Sequence, residues 1–477
     1  MTFNSVPYLL LLAMTVVVFW WLPAHFRRGL VFVVSVAFYA SWGLRFVWLP
    51  LLVAGIVYVA GRQMSTAGGN QKLWARMGIA CVVMPLIFFK YRVFLFANLW
   101  PHGISHGSQS FSSAASLVFP LGISFYTFEA IAYLIDLRQG RVKAPGFVEL
   151  CLFFFFWPNV LSGPIVRARE LMPQLDFQTK FEPRFCFEGM DRFVWGLVQK
   201  NVIANVLGDW VDRGFAAGAA VPSTLDGWAL ASAFALQIYF DFAAYTNMAI
   251  GAARFIGVTL PDNFRQPYHA VSPPDFWSRW HMTLSRWVRD YLFFPINAKF
   301  AGAALPLYLS LIGVMALVGL WHGAGWGFLA WGTLHGVCLA FYRIYESWKG
   351  NRPRLTESRL ALEIWRAVTL VAVTSAWVPF RASSLQTAGV ILFSMFYPRS
   401  LGASFSPVFY GIVAVLIVFC ACEPWLMQGL TEFEANDGLA DGPSPFRLVI
   451  RPIAYSFGLL LFTLFDEHNA QFIYSQF

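Results

Sequence analysis

Apolar residues run through this chain in long blocks, without the strict alternation of strands. Residues 6–22, 30–42, 48–60, 77–89, 304–320 and 406–422 contain no Asp, Glu, Lys or Arg. A membrane-spanning helix needs roughly 17–25 apolar residues, with tilt and flanking positions extending the shorter runs. The pattern predicts an all-α polytopic membrane protein with about ten to twelve membrane segments. No long polar linker interrupts it, so residues 1–477 read as one integrated domain. Within it, 1–115 supply N-terminal spans, 116–345 a motif-bearing core and 346–477 C-terminal spans.

Polar positions refine this picture. The opening "MTFNS" has no basic residue and Arg27 and Arg28 follow the first run, so that run reads as a retained span with an outside N-terminus. Basic clusters close the apolar runs: Arg27 and Arg28; Arg62, Lys72 and Arg76; Arg138, Arg141 and Lys143; and Arg343 to Arg359. They mark cytoplasmic loops. The nearly uncharged stretch from Pro101 and the acidic set Glu432, Glu434, Asp437 and Asp441 are expected at the outer face.

This alternation fails twice. "FFFFWPNVLSGP" from Phe153 lies between basic clusters on both sides, as does the region between Arg254 and Lys299. A re-entrant segment broken at Pro158 and Gly163-Pro164 resolves the first conflict. Non-helical backbone at membrane depth requires protein or a water-filled cavity to satisfy it, so an internal cavity is expected.

Composition agrees with the pattern. The chain is 58% hydrophobic and 12% charged, against roughly 45–50% and about 25% in soluble domains. Its net charge of +9 is spread over loop clusters, which argues against nucleic acid as a partner. The six cysteines show neither disulfide-framework nor zinc spacing, and no metal or tightly bound cofactor is expected.

Candidate chemistry concentrates in two stretches. "NFRQPYHAVSPPDFWSRWHMTLSRWVRDYLFFPI" spans Asn263 to Ile296. Ser272, Pro273 and Asp275 predict a helix start with a capping box. From there Trp277, Trp280, Leu284, Trp287 or Val288, and Tyr291 recur at helical spacing, which predicts an amphipathic interfacial helix. The second stretch, "GLWHGAGWGFLAWGTLHG" from Gly319, sets His322 and His335 in a run without charge. On one continuous helix His335 would point about 140° from His322, which gives it a structural or supporting role. Intramembrane carboxylates such as Glu129, Asp136 and Asp241 require a partner or a wet cavity.

These two stretches resemble the signature pair of the membrane-bound O-acyltransferase family, in its bacterial polysaccharide branch, which serves alginate and cellulose acetylation. "PLGISFYTFEAIAYLIDLRQG" from Pro120, "SGPIVRARELMPQ" from Ser162 and "QIYFDFAAYTNMAIG" from Gln237 fit that branch too, with weaker likeness at "WVPFR" from Trp377. Asn159, Ala243 and Asn247 depart from its usual residues.

The resemblance implies an acyltransferase with His322 as the catalytic residue and His281 as its functional partner. Trp321, Asn263, Tyr268, Trp280, Arg286, Arg289, Asp241 and Glu129 are candidate substrate-binding or cavity-lining positions. It further implies acetyl-CoA as cytoplasmic donor and O-acetylation of an exopolysaccharide such as cellulose or alginate. The setting it implies is a bacterial inner membrane, with a periplasmic acetyltransferase and the polysaccharide synthase complex as partners. D-alanyl or other acyl transfer to a cell-envelope polymer, a transporter or flippase, and a non-catalytic scaffold are the alternatives. Independently of family, a histidine is the side chain best suited to take a hydroxyl proton near neutral pH. His322 and His281 are accordingly expected to line a passage walled by 158–164 and by Gly323, Gly325 and Gly327.

Overall fold

The computed structural model describes residues 1–66, 70–99, 120–144, 146–216, 223–300, 303–350, 358–397, 402–437, 449–465 and 472–473. Among these, the regular elements are helices. Five stretches are long and apolar enough to cross a membrane: Ala24–Phe46, Gln71–Leu99, Ala304–His322, Arg359–Arg381 and Pro407–Leu426. Three shorter apolar helices, Val6–Trp21, Leu385–Phe396 and Arg451–Phe465, accompany them. Each apolar run read from the sequence is helical over most of its length. Residues 101–114 and Asp441 lie outside the described residues, whereas Glu432, Glu434 and Asp437 fall on a helix instead of a loop.

The chain divides into two compact units, Met1–Phe193 with Tyr245–Pro261, and Val194–Ala244 with Asp262–Phe477. The first holds α1 (Val6–Trp21), α2 (Ala24–Gly43), α3 (Trp48–Ser65), α4 (Gln71–Leu86), α5 (Ile123–Arg138) and α6 (Phe147–Phe155). Small residues set how closely these pack, as expected where lipid provides no hydrophobic drive between helices. A Cβ on Gly78 of α4 would stand 3.0 Å from both Ala60 of α3 and Leu134 of α5.

The broken segment is present. Helix α6 stops at Phe155, residues 156–167 form turns and extended chain, and every residue from Cys151 to Ala168 is buried. Local bonds satisfy part of this backbone: the amides of Asn159 and Val160 donate to Phe156 O at 3.1 Å, and Gly163 N donates to Asn159 O at 3.1 Å. Trp157 N donates to Ser35 Oγ of α2 at 3.3 Å. Glycine is required beside it, because Gly122 has φ +77° and a Cβ there would lie 2.2 Å from Val160 O.

Helix α7 (Pro183–Val198) precedes a π-helical turn, Gln199–Ala204, and α8 (Thr224–Phe255) supplies residues to both units. The second unit continues with α9 (Pro273–Arg279), α10 (Met282–Val288), α11 (Ala304–His322), α12 (Trp326–Lys349), α13 (Arg359–Arg381) and α14 (Pro407–Asp437). Helices α11 and α12 form a hairpin pressed together by glycines. A Cβ on Gly332 would meet Met315 O at 2.2 Å, and one on Gly336 would meet Ile312 Cα at 2.6 Å.

One expected helix is two. Ser272 caps α9, its Oγ accepting from Asp275 N at 3.2 Å, while Asp275 Oδ2 accepts from Val271 N at 3.0 Å. The helix then breaks at Trp280 and His281, where His281 has φ 41°. The apolar face of this region is no interfacial belt either: Trp277, Trp280, Leu284, Trp287, Val288 and Tyr291 are all buried in protein. Helical spacing alone does not distinguish a lipid-facing stripe from a core-facing one.

Candidate active site

His281 owes its position to a backbone conformation that non-glycine residues rarely adopt and that costs about 1–3 kcal/mol. Asn263, eighteen residues earlier (281 minus 263), holds it there. Asn263 Oδ1 accepts from Thr283 N at 3.2 Å and Thr283 Oγ1 at 2.8 Å, and lies 3.1 Å from His281 Nδ1. The backbone closes the same link, with Met282 N donating to Asn263 O at 2.9 Å and Arg265 N to Arg279 O at 2.9 Å.

Since the Thr283 amide can only donate, the Asn263 atom facing it is the oxygen. His281 Nδ1 therefore carries the proton on the neutral ring, and Nε2 keeps the lone pair. The imidazole stands edge-on to Phe242 of α8, ring centroids 4.7 Å apart at 90°. It is fully buried.

His322 is the last residue of α11, where the chain turns through Gly323 and Gly325 into α12. Its ring centroid lies 4.8 Å from Trp321, 5.0 Å from Trp331, 5.6 Å from Phe380 and 6.4 Å from His281. Folding thus brings the two signature histidines together, although one ends α11 and the other lies in the break between α9 and α10. Chemically, two imidazoles this close, one with a fixed tautomer, can supply a proton acceptor and a second ring beside it.

The surroundings differ from the expected passage. His322 is 3% and His281 0% exposed, with aromatic rings against both. Two of the three glycines serve close packing: a Cβ on Gly323 would lie 2.1 Å from the Phe328 ring, and one on Gly327 2.3 Å from Pro379 O. At Gly325 the contact is an ordinary 3.5 Å to Phe328. The glycines let the hairpin and α13 close on His322, where the sequence reading made them walls of an open channel.

The other candidates separate into groups. Trp280 and Trp321 belong to the aromatic shell. Trp280 stacks on Phe276 at 5.6 Å and contacts Trp377 at 5.0 Å, while Trp321 lies 6.2 Å from His281. The Tyr268 hydroxyl donates to Ala235 O of α8. Arg286 Nε donates to Met282 O at 3.3 Å, and exposed Arg289 pairs with Asp290 at 2.8 Å. Arg289 also borders an apolar groove of about 130 Å³ that reaches Trp277 and, on α11, Val314 and Val318.

Asp241, a buried carboxylate that requires a partner or a wet cavity, has a partner. It forms a buried ion pair with Lys200 at 2.6 Å, and its other oxygen accepts from Ile473 N at 2.8 Å. Glu129 lies in the first unit, where Asn159 Nδ2 donates to it at 2.9 Å. Asn159, a departure from the family's usual residue, is therefore a carboxylate partner. Asn247, another departure, accepts from Arg192 at 3.1 Å.

Sequence reading missed Trp331, Phe380 and Lys200. A lone lysine in the apolar "GLVQKNVIANV" is itself a signal, because an intramembrane cation demands a partner. Trp377 and Phe380 lie in "WVPFR", whose part in the site shows only once α13 packs on α12.

Comparison with known proteins matches this architecture. A model of the membrane-bound O-acyltransferase family covers residues 76–369, which include both signature histidines. The probable alginate O-acetylase AlgI of Azotobacter vinelandii is 36% identical over 381 residues, covering 78% of this chain and 73% of its own. The peptidoglycan O-acetyltransferase of Helicobacter pylori is 34% identical over 397 residues, covering 76% and 72%. The teichoic acid D-alanyltransferase of Bacillus subtilis is 27% identical over 348 residues, covering 70% and 81%. With apolar spans, a broken buried segment and paired histidines in the matched region, the chain belongs to the membrane-bound O-acyltransferase family and is a multi-pass membrane O-acyltransferase.

Proposed function

We propose that this enzyme takes an acetyl group from cytoplasmic acetyl-CoA and delivers it for O-acetylation of an exopolysaccharide of the alginate or cellulose kind. In this reading it works in a bacterial inner membrane, with a periplasmic acetyltransferase completing transfer and the polysaccharide synthase complex close by. The carrying observation is the 6.4 Å approach of His281 and His322, supported by the alginate O-acetylase relatives.

His322 takes the proton of the attacking hydroxyl as its oxygen bonds to the thioester carbonyl carbon. Collapse of the adduct breaks the carbon–sulfur bond, and the thiolate leaves with the proton returned from the imidazole. His281, its Nδ1–H held by Asn263, orients the reacting group. Exclusion of water from the aromatic surroundings protects the thioester from hydrolysis.

The acyl group is tested on the polymer. Deleting the gene should remove ester-linked acetate from the envelope polysaccharide, read by proton NMR before and after mild alkali, and a plasmid copy should restore it. Loss of ester-linked D-alanine with acetate unchanged would replace acetyl transfer by the reaction named for the teichoic acid relatives.

For the donor, Arg286 on α10 and Arg289 just past its end are the proposed phosphate contacts, since guanidinium groups bind phosphate through paired charge-assisted hydrogen bonds. The double substitution Arg286→Gln with Arg289→Gln should raise the apparent KM for acetyl-CoA about tenfold while kcat changes little. An unchanged KM in purified protein would remove both residues from donor binding.

A further inference from the structure

We propose that His335 is a positioning residue for His322, acting through the indole of Trp331. The inference rests on the reading of His322 as the proton acceptor. His335 and His322 belong to different helices of the α11–α12 hairpin, yet each has its ring centroid 5.0 Å from Trp331. Trp331 is fully buried and stands perpendicular to His322, at 90°. The indole is thus a shared wall between the two imidazoles.

The box around His335 is aromatic on its other sides. Phe276 stacks on it at 5.9 Å and 12°, Trp277 meets it edge-on at 5.2 Å, and Trp377 lies at 6.3 Å. Trp331 itself stacks on Trp377 at 5.4 Å and touches Phe380 at 5.1 Å, and Phe380 also contacts His322. The helix carrying His335 has no room to retreat, because Gly332 and Gly336 already bring its backbone against α11. A change of ring size or shape at position 335 is therefore taken up by the rings, and the ring that also touches His322 is Trp331.

A merely structural imidazole is a poor fit to this box. His335 is 3% exposed, and its Nε2, like Nε1 of Trp331, has no hydrogen-bond partner among the described residues. A phenyl ring would avoid burying that polar atom, so stability alone does not account for histidine here. A five-membered ring that sets the tilt of Trp331 does account for it.

The test is a double-mutant cycle in the full-length membrane enzyme, with His335→Phe, Trp331→Phe and their combination. His335→Phe should lower kcat for acetyl transfer about 10- to 100-fold with donor KM within about twofold, as expected when a reacting group is misplaced by a fraction of an ångström to an ångström. The kcat–pH profile should shift, and membrane abundance should match wild type. Trp331→Phe should do the same, and the double variant should be no worse than Trp331→Phe alone, because both act on one wall.

If His335→Phe fails to accumulate, His335→Asn, which keeps a small planar polar group, carries the cycle in its place. Wild-type kcat and pH profile at normal abundance would overturn the proposal, as would losses that multiply in the double variant. His322→Ala run in parallel separates the two ideas. If it abolishes transfer while His335→Phe is silent, only the positioning role falls; if it leaves transfer intact, there is no base to position and both fall.

Discussion

His322→Ala should abolish acetylation while leaving the protein at normal level in the membrane. Removing a positioned general base costs about 10²–10⁴-fold in rate. The residue is also a poor candidate for a fold determinant. It ends α11, and its neighbours Trp321, Trp331 and Phe380 pack against one another's partners as well as against it. Truncation leaves a cavity the size of an imidazole, whose cost in stability is expected at about 1–3 kcal/mol. The measurement is ester-linked acetate on isolated polymer, normalised to enzyme abundance. Residual acetylation above about a tenth of wild type would remove His322 from the role of base.

The largest stability effect is expected far from the histidines in sequence. Lys200 and Asp241 pair at 2.6 Å with side chains 1% and 2% exposed. Lys200 Nζ also stands 4.3 Å from the centre of the Phe472 ring, and Asp241 holds Ile473 N, so the pair fastens a C-terminal segment to α8. The π-helical turn Gln199–Ala204 changes the helical phase at Lys200. Lys200→Met strands a buried carboxylate and should cost about 3–5 kcal/mol. Adding Asp241→Leu should recover much of that loss, because two apolar side chains need no compensation for lost hydration. Thermal unfolding of detergent-purified protein reads both. A single variant as stable as wild type would show that the pair does not hold this segment.

Much of the fold was legible because a membrane imposes it locally. Each uncharged run became helix, since no other open-ended structure satisfies its own backbone in lipid. The break at 156–167 was legible from two prolines and a glycine close together, Pro158 and Gly163-Pro164, which disfavour a continuous helix, and from basic residues on both sides, which forbade a simple crossing. The signature histidines were legible from their neighbours, although nothing in their spacing gives the 6.4 Å between them.

Other features needed contacts between distant residues. The apolar period from Trp277 to Tyr291 continues straight through Trp280 and His281, so a single helix was the natural reading. The break comes from Asn263, whose one oxygen meets Thr283 and His281 together. Asp241 and Glu129 carried the demand for partners in the sequence, but Lys200 and Asn159 could be identified only after the helices had packed.

His322 and His335 show the division most plainly. The sequence determined that two imidazoles lie among glycines and tryptophans in an apolar run without Asp, Glu, Lys or Arg, which marks them as candidates for the chemistry. Helical arithmetic then separated them by about 140°, on the premise of one continuous helix. The turn at Gly323 and Gly325 removes that premise, and the backbone contact at Gly332 folds α12 back along α11 until both rings reach Trp331. Periodicity acts over a few residues and is written in composition. The approach of two helices depends on which surfaces can close without a side chain between them, and only the folded hairpin decides that.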